Sequence, residues 1–183
     1  MKNGRISKGK LIRPTFFVFC EGETEDAYIK YLRSIYRIPI QIDSKISGSA
    51  INDKYIDKYK STKSIHPKDK TFLIYDADIQ DIVDKLKKID NVVLLLSNPC
   101  FELWYLLHFI NQNSDISSSE CIQKLSRNLR VYKKGVICDK LKRKLEEEQS
   151  RAISRAKVFE KLKNPSTEVF HLVEDLEKIK TEK

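Results

Sequence analysis

The stretch FVFCEGETEDAYIKYL, residues 17–32, is apolar from Phe17 to Cys20 and then turns acidic at Glu21, Glu23, Glu25 and Asp26, with Gly22 inside the break. Aromatic and β-branched residues over 15–20 read as a short buried strand. Beyond the break, Ala27, Tyr28, Tyr31, Leu32 and Ile35 recur at helical spacing. Thr24 is the expected cap, with Glu25 and Asp26 in the first turn, where the helix dipole favours acids. A buried strand running through acids into a helix is the repeating unit of a parallel α/β sheet.

The chain repeats that unit. TFLIYDAD (71–78) is again an apolar strand ending in acids, and NVVLLLSNP (91–99) is a third strand of the same kind. Ile38 to Ile42 reads as a further strand, and SGSA as a loop leading to a helix at 50–60. Ile79 to Ile89 is amphipathic through Ile82, Val83, Leu86 and Ile89. Strands apolar on both faces, alternating with helices, predict a parallel sheet covered on both sides. From Pro99 the chain reads as helical, with Asn98 capping and Pro99 at the first helical position. A polar loop, NQNSDISSSE, follows. Residues 120–163 read as two basic helices around Gly135, and Asn164-Pro165 as the opening of a last helix at 166–180.

The 183 residues suit one domain with a helical appendage. No run of apolar residues is long enough to span a membrane, and the basic N-terminus lacks the apolar centre of a secretory signal. Four cysteines without a C-x-x-C pair, two of them in apolar runs, predict reduced thiols and a cytoplasmic protein. The formal net charge of +9 is unevenly spread. Residues 1–14 hold five basic groups and no acid, and residues 120–163 hold fourteen basic and six acidic groups. Residues 15–119, with thirteen basic and fifteen acidic, are mildly negative. Basic segments flanking an acidic centre suit a polyanion held by its phosphates near a cation site, though Lys-rich helices also serve solubility alone.

In an open parallel sheet, ligands sit at the carboxyl ends of the strands. Three predicted strands end there in polar chemistry: Glu21, then Asp76 and Asp78, then Ser97-Asn98. Residues two apart on an extended segment point the same way, so Asp76 and Asp78 repel unless a cation lies between them or one is protonated. Hard divalent cations such as Mg²⁺ take such oxygen ligands together with substrate phosphate. Glu102, in the apolar helix CFELWYLLHFI, needs a partner because isolated burial of charge is costly. Either it pairs with an arginine, or its stripe with Asn98 and Tyr105 faces the same acidic edge. His108 reads as a core histidine.

Other chemistries do not fit. The chain has no G-x-x-x-x-G-K-[ST] phosphate loop and no Cys/His cluster for zinc. Only His66, His108 and His171 are available to activate a nucleophile. The D-x-D of haloacid-dehalogenase phosphatases is followed two residues after its second Asp by Thr or Val, where this chain has Gln80 after Ile79.

VFCEGETEDAYIKYL, YDAD, SNPCFELWYLLHF and NPSTEVFHLVEDL together resemble the RloB family of small defence-associated proteins, in order and over nearly the whole chain. The resemblance implies kinship with the Toprim domain, a four-stranded parallel sheet between helices with a Glu after its first strand and a D-x-D after its third. It therefore implies an α/β fold: a basic N-terminal arm (1–14), a Toprim-like domain (15–112) and a basic helical C-terminal region (113–183) packed on the same domain. Glu21, Asp76 and Asp78 would match the metal ligands, for Mg²⁺ or Mn²⁺. Glu25 would match an additional acid of the nuclease branch, and Glu102 belongs to the RloB motif. VYKKG, with Tyr132, resembles a family patch, and Asn98, Asn164, Ser166 and Thr167 are further motif positions. Many members carry an acid after YDAD, where this chain has Ile79.

The expected activity is metal-dependent cleavage of RNA or DNA, with tRNA a candidate by analogy. Arg127, Arg130, Lys133 and Lys134 would contact phosphates, and Glu25 or Glu102 would serve a second metal or take a proton. The resemblance adds an ATPase partner and a role in antiviral defence. Self-association into a homo-oligomer is left open. The alternatives are a non-catalytic module that binds nucleic acid or docks on its partner, and an enzyme acting on small nucleotides.

Overall fold

The computed structural model describes residues 13–130 and 132–182. The expected basic arm, Arg13 and Pro14 apart, lies outside them. In chain order the elements are β1 (Thr15–Cys20), α1 (Glu23–Ile35), β2 (Gln41–Ile46), a 3-10 turn (Gly48–Ala50), α2 (Asp53–Lys60), β3 (Lys70–Asp76), α3 (Gln80–Leu86) and β4 (Val93–Asn98). There follow α4 (Glu102–Leu106), α5 (Ser118–Leu129), α6 (Asp139–Glu147), α7 (Gln149–Ala156), β5 (Ser166–Thr167) and α8 (Phe170–Thr181).

The sheet runs β2-β1-β3-β4-β5, with the first four strands parallel as expected and β5 antiparallel at the edge. The pleat sends alternate side chains of each strand to opposite faces. Phe16, Val18, Cys20, Phe72, Ile74 and Leu95 join α1, α4 and the C-terminal helices in the larger core. Phe17, Phe19, Leu73, Tyr75 and Leu96 face Ile51, Ile56, Val83 and Leu86 from α2, α3 and their approaches. Both faces are covered, which is why β1 and β3 carry unbroken apolar runs. Leu125, Leu141, Leu145 and Leu172 share the larger core with Phe16 and Val18, so the C-terminal region has no separate centre.

Several elements differ from expectation for local reasons. The helix α1 begins at Glu23 with Gly22 as its extended N-cap, so Thr24 lies inside it. Glu25 reaches back to accept from the Gly22 N–H at 3.2 Å and starts the helix in place of Thr24. The strand β2 starts three residues later than Ile38 and is the half-exposed QIDSKI. Ile38 is buried as loop before it, and an edge strand need not be apolar. Asn98 ends β4 instead of capping a helix, and α4 waits until Glu102. Asn98 is therefore not on one helical stripe with Glu102; its amide donates to the Leu162 carbonyl at 2.8 Å. Residues 118–156 form three helices where two were expected. The segment after Asn164-Pro165 first pairs with β4, Ser97 opposite Thr167 and Asn98 opposite Ser166, and only then turns helical. Both Asn-Pro peptides are cis.

Candidate metal and phosphodiester site

The strand order places consecutive strands on opposite sides of β1: the chain leaves β1 for β2, then returns to β3 on the other flank. This is the point in an open α/β sheet where the connections diverge and the carboxyl ends leave a crevice. Glu21 directly follows β1 and Asp76 ends β3, so the two acids flank the crevice. The Glu21 N–H donates to the Ile74 carbonyl at 3.1 Å, extending the β1–β3 pairing by one residue. Its carboxylate accepts from the Asp76 N–H at 2.9 Å. Asp76 in turn accepts from the Phe101 N–H at 2.7 Å, which ties the approach to α4 to the same spot.

A cavity of about 330 Å³ opens there, lined by Glu21, Glu25, Asp76 and Glu102 together with Lys134. Burial, reinforced by the charges of Glu25, Glu21 and Glu102, pushes the Asp76 carboxyl up to about 8. Burial, with Glu102 and Glu21 adding to it, pushes Glu25 up to about 7. Glu102 is 2% exposed, accepts from the Tyr132 hydroxyl at 2.9 Å and faces the Lys134 ammonium at 3.7 Å. Its partners are thus a tyrosine and a lysine, where an arginine had been the alternative to the acidic edge. Burial and the Glu102 charge raise the Tyr132 phenol well above its ordinary value, keeping it a donor.

Asp78 is the expected site residue that the structure leaves out of this cavity. Ladder-like pairing continues only to Ala77, whose N–H donates to the Ser97 carbonyl at 2.8 Å. The chain bends at Asp78, so the pleat no longer aligns it with Asp76, and Asp78 is exposed. Lys133, Arg127 and Arg130 are exposed as well and do not line the cavity. Asn164, Ser166 and Thr167 have structural work: Asn164 exchanges two hydrogen bonds with the Ile116 backbone, and the Thr167 hydroxyl pairs with that of Ser97 at 2.8 Å. Glu23 is exposed at the cavity rim. Asp26 is buried, accepting from the Ser44 hydroxyl and pairing with Lys30, both at 2.6 Å. His108 is a core residue, its Nδ1 on the Trp104 carbonyl, and burial lowers it to about 4.

Sequence reasoning missed the lid over the acids. Gly135 approaches α1 closely: its N–H donates to the Thr24 hydroxyl at 3.3 Å, and a Cβ added there would lie 3.1 Å from that of Glu23. Its φ of +72° adds a second reason for glycine. Tyr105 also donates to the Thr24 carbonyl at 3.3 Å. Only the Lys-Lys-Gly run signalled a turn here, not what it covers.

The donor set suits a hard divalent cation, being all oxygen and crowded enough to disfavour full ionisation. Glu21, Glu25 and Asp76 each give one oxygen to the backbone N–H of another residue. Among those residues, however, no three His, Cys, Asp or Glu groups already converge at metal-holding geometry. The acids share a cavity; an ion would have to draw them together.

The RloB-like protein family model matches residues 16–176. The chain belongs to the RloB-like family. Neither curated proteins nor solved structures gave a match to it. The match spans every element of this RloB-like chain from β1 into α8, so the acidic crevice, its basic lid and the β5 edge all fall within the family's extent. None of its described helices is long and apolar enough to cross a membrane.

Proposed function

We propose that this RloB-like protein is a metal-dependent nuclease that hydrolyses phosphodiesters of RNA or DNA at the crevice between β1 and β3. The observation that carries this reading is the crowding of Glu21, Glu25, Asp76 and Glu102 around one cavity, two of them with carboxyls pushed up to about 7 and 8. Glu21 and Asp76 would hold Mg²⁺ or Mn²⁺, with Glu25 and Glu102 beside them and Asp78 at the exposed end of the same loop. An ion held there would supply positive charge beside a phosphoryl oxygen and lower the pKa of a bound water. Glu25 would take a proton from that water, and Lys134 would meet a phosphate oxygen. Exposed Arg127, Arg130 and Lys133 would carry strand phosphates without reading sequence. Action with an ATPase partner in cytoplasmic antiviral defence is the biological setting the family suggests.

The test is one assay on tRNA, single-stranded DNA and plasmid, with Mg²⁺ and with Mn²⁺. Cleavage that disappears in Glu21→Ala and Asp76→Ala is expected; equal rates in all three proteins would sink the proposal. A second reading has an observation of its own. The Lys134 ammonium faces Glu102 and the Tyr132 hydroxyl donates to it, and an acid so partnered suits a non-catalytic module that binds nucleic acid or docks on its partner. That reading expects salt-dependent binding with no turnover in either metal.

A further inference from the structure

A larger cavity, about 820 Å³, lies at the opposite edge of the sheet, between the starts of β1 and β2, the end of α1 and the turn after α2. Arg13, Arg33, Arg37 and Lys63 line it against one carboxylate, Asp43. Asp43 is already matched, by Lys63 at 3.0 Å and by the Tyr59 hydroxyl at 3.1 Å. Four cations to one acid leaves a net +3. Arg13 and Arg33 have no ion pair among the described residues.

We propose that this cavity is a second phosphate-binding site, which grips the backbone of the nucleic-acid strand away from the acidic crevice. Guanidinium forks match phosphate oxygens two at a time, and three of the four cations are arginines. The volume lies within the roughly 300–1,000 Å³ of sites that enclose nucleotide-sized groups, beyond what a lone phosphate ion needs. Among the described lining residues no aromatic face is free for a base to stack on: Phe17 is buried, and the Tyr36 ring is covered by Lys180. The contacts are therefore with phosphates and are indifferent to sequence. The end of α1 presents its negative pole here, so the side chains supply the attraction.

Thr15 lines this cavity and Glu21, just past the far end of β1, lines the other. The six residues of β1 separate them by about 20 Å. A stacked strand rising about 3.4 Å per nucleotide needs at least about six nucleotides to touch both. The inference rests on the nucleic-acid part of the proposed function and not on cleavage.

The experiment is fluorescence anisotropy of the whole protein with a labelled single-stranded RNA of about 20 nucleotides, in EDTA, from 50 to 200 mM salt. The double variant Arg13→Gln/Arg33→Gln, exposed at both positions, is expected to melt like wild type. It should bind about tenfold more weakly, with a salt slope shallower by about 1.4, or 0.7 per lost contact. Arg33→Gln, made separately, should shift both in the same direction. Unchanged affinity and slope in both variants overturns the site. Polyaspartate of equal charge displacing RNA as well as unlabelled RNA does so too, in favour of an acidic protein partner. RNA binding through these arginines without cleavage in any metal would remove the nuclease reading and leave this one. Cleavage with indifferent arginines would do the reverse.

Discussion

At the scale of residues, the four acids of the opening stretch have four different fates. Glu21 links the two central strands, Glu25 starts α1 from a buried position, Asp26 is locked to Ser44 and Lys30, and Glu23 stays at the rim. Sequence showed that carboxylates gather at strand ends, because strand ends are legible. It could not show that the bend at residue 78 turns the second acid of YDAD away, because the pleat was assumed to persist. Asp76 and Glu25 have folded-state pKa values raised to about 8 and about 7. Between their ordinary values and these, the native state binds more protons than the unfolded chain, so stability is greatest at the acid end and is lost as pH rises to about 8. Asp76→Asn should therefore gain in melting temperature over wild type progressively from pH 5 to 8.5, without added metal. A constant difference across that range would remove the crowding argument. Millimolar Mg²⁺ or Mn²⁺ should raise the wild-type melting temperature at pH 8 and leave Asp76→Asn unmoved, since only an ion bound to the native state stabilises it. Gly135→Ala combines a left-handed backbone with a 3.1 Å contact to Glu23. A loss of about 1–2 kcal/mol in denaturant unfolding is expected.

At the scale of elements, the longest apolar runs were read correctly and the polar junctions were not. The runs over 15–20 and 71–76 declare themselves because β1 and β3 are covered on both faces. β5 does not, because two residues carry no periodicity and Ser166-Thr167 reads as a helix start. What makes them a strand is tertiary: the Ser97 and Thr167 hydroxyls paired at 2.8 Å in a buried site, and the Asn164 amide holding Ile116 from both sides. Thr167→Val keeps the shape and strands the Ser97 hydroxyl, which should cost about 1–3 kcal/mol in a denaturant titration. Ser97→Ala added to it should recover part of that loss, because both partners are then apolar. If the double variant is as unstable as the sum of the singles, the hydroxyl pair is not what holds the edge. The short α4 was legible as apolar all round, and its burial from Glu102 to Leu106 agrees. Its start was not, since Asn98 and Pro99 imitate a cap but belong to the strand and the turn after it.

At the scale of the whole molecule, the uneven charge of the sequence becomes two poles on one sheet. The carboxyl edge of β1 and β3 carries the acids under a basic lid, and the amino edge of β1 and β2 carries arginines around an 820 Å³ cavity. The total of +9 gave no sign of this split, because Arg13, Arg33, Arg37 and Lys63 are scattered over fifty residues and meet only in the fold. That the C-terminal helices share the larger core was implied only by the family resemblance, not by their basic sequence. Leu125→Ala, at a fully buried position of α5 in that core, should destabilise the whole domain by about 2–5 kcal/mol in a single unfolding transition. Two separate transitions would mean that the C-terminal region folds by itself.

The partner of β4 at the sheet edge arrives late in synthesis. Ser97 meets Thr167 seventy residues further along the chain. Until Ser166 and Thr167 have left the ribosome, β4 presents unpaired N–H and C=O groups beside the apolar Leu94, Leu95 and Leu96, the kind of open edge on which chains pair with one another. A protein cut short before Asn164 is thus expected to collect in inclusion bodies, while one that retains residues through α8 remains dispersed.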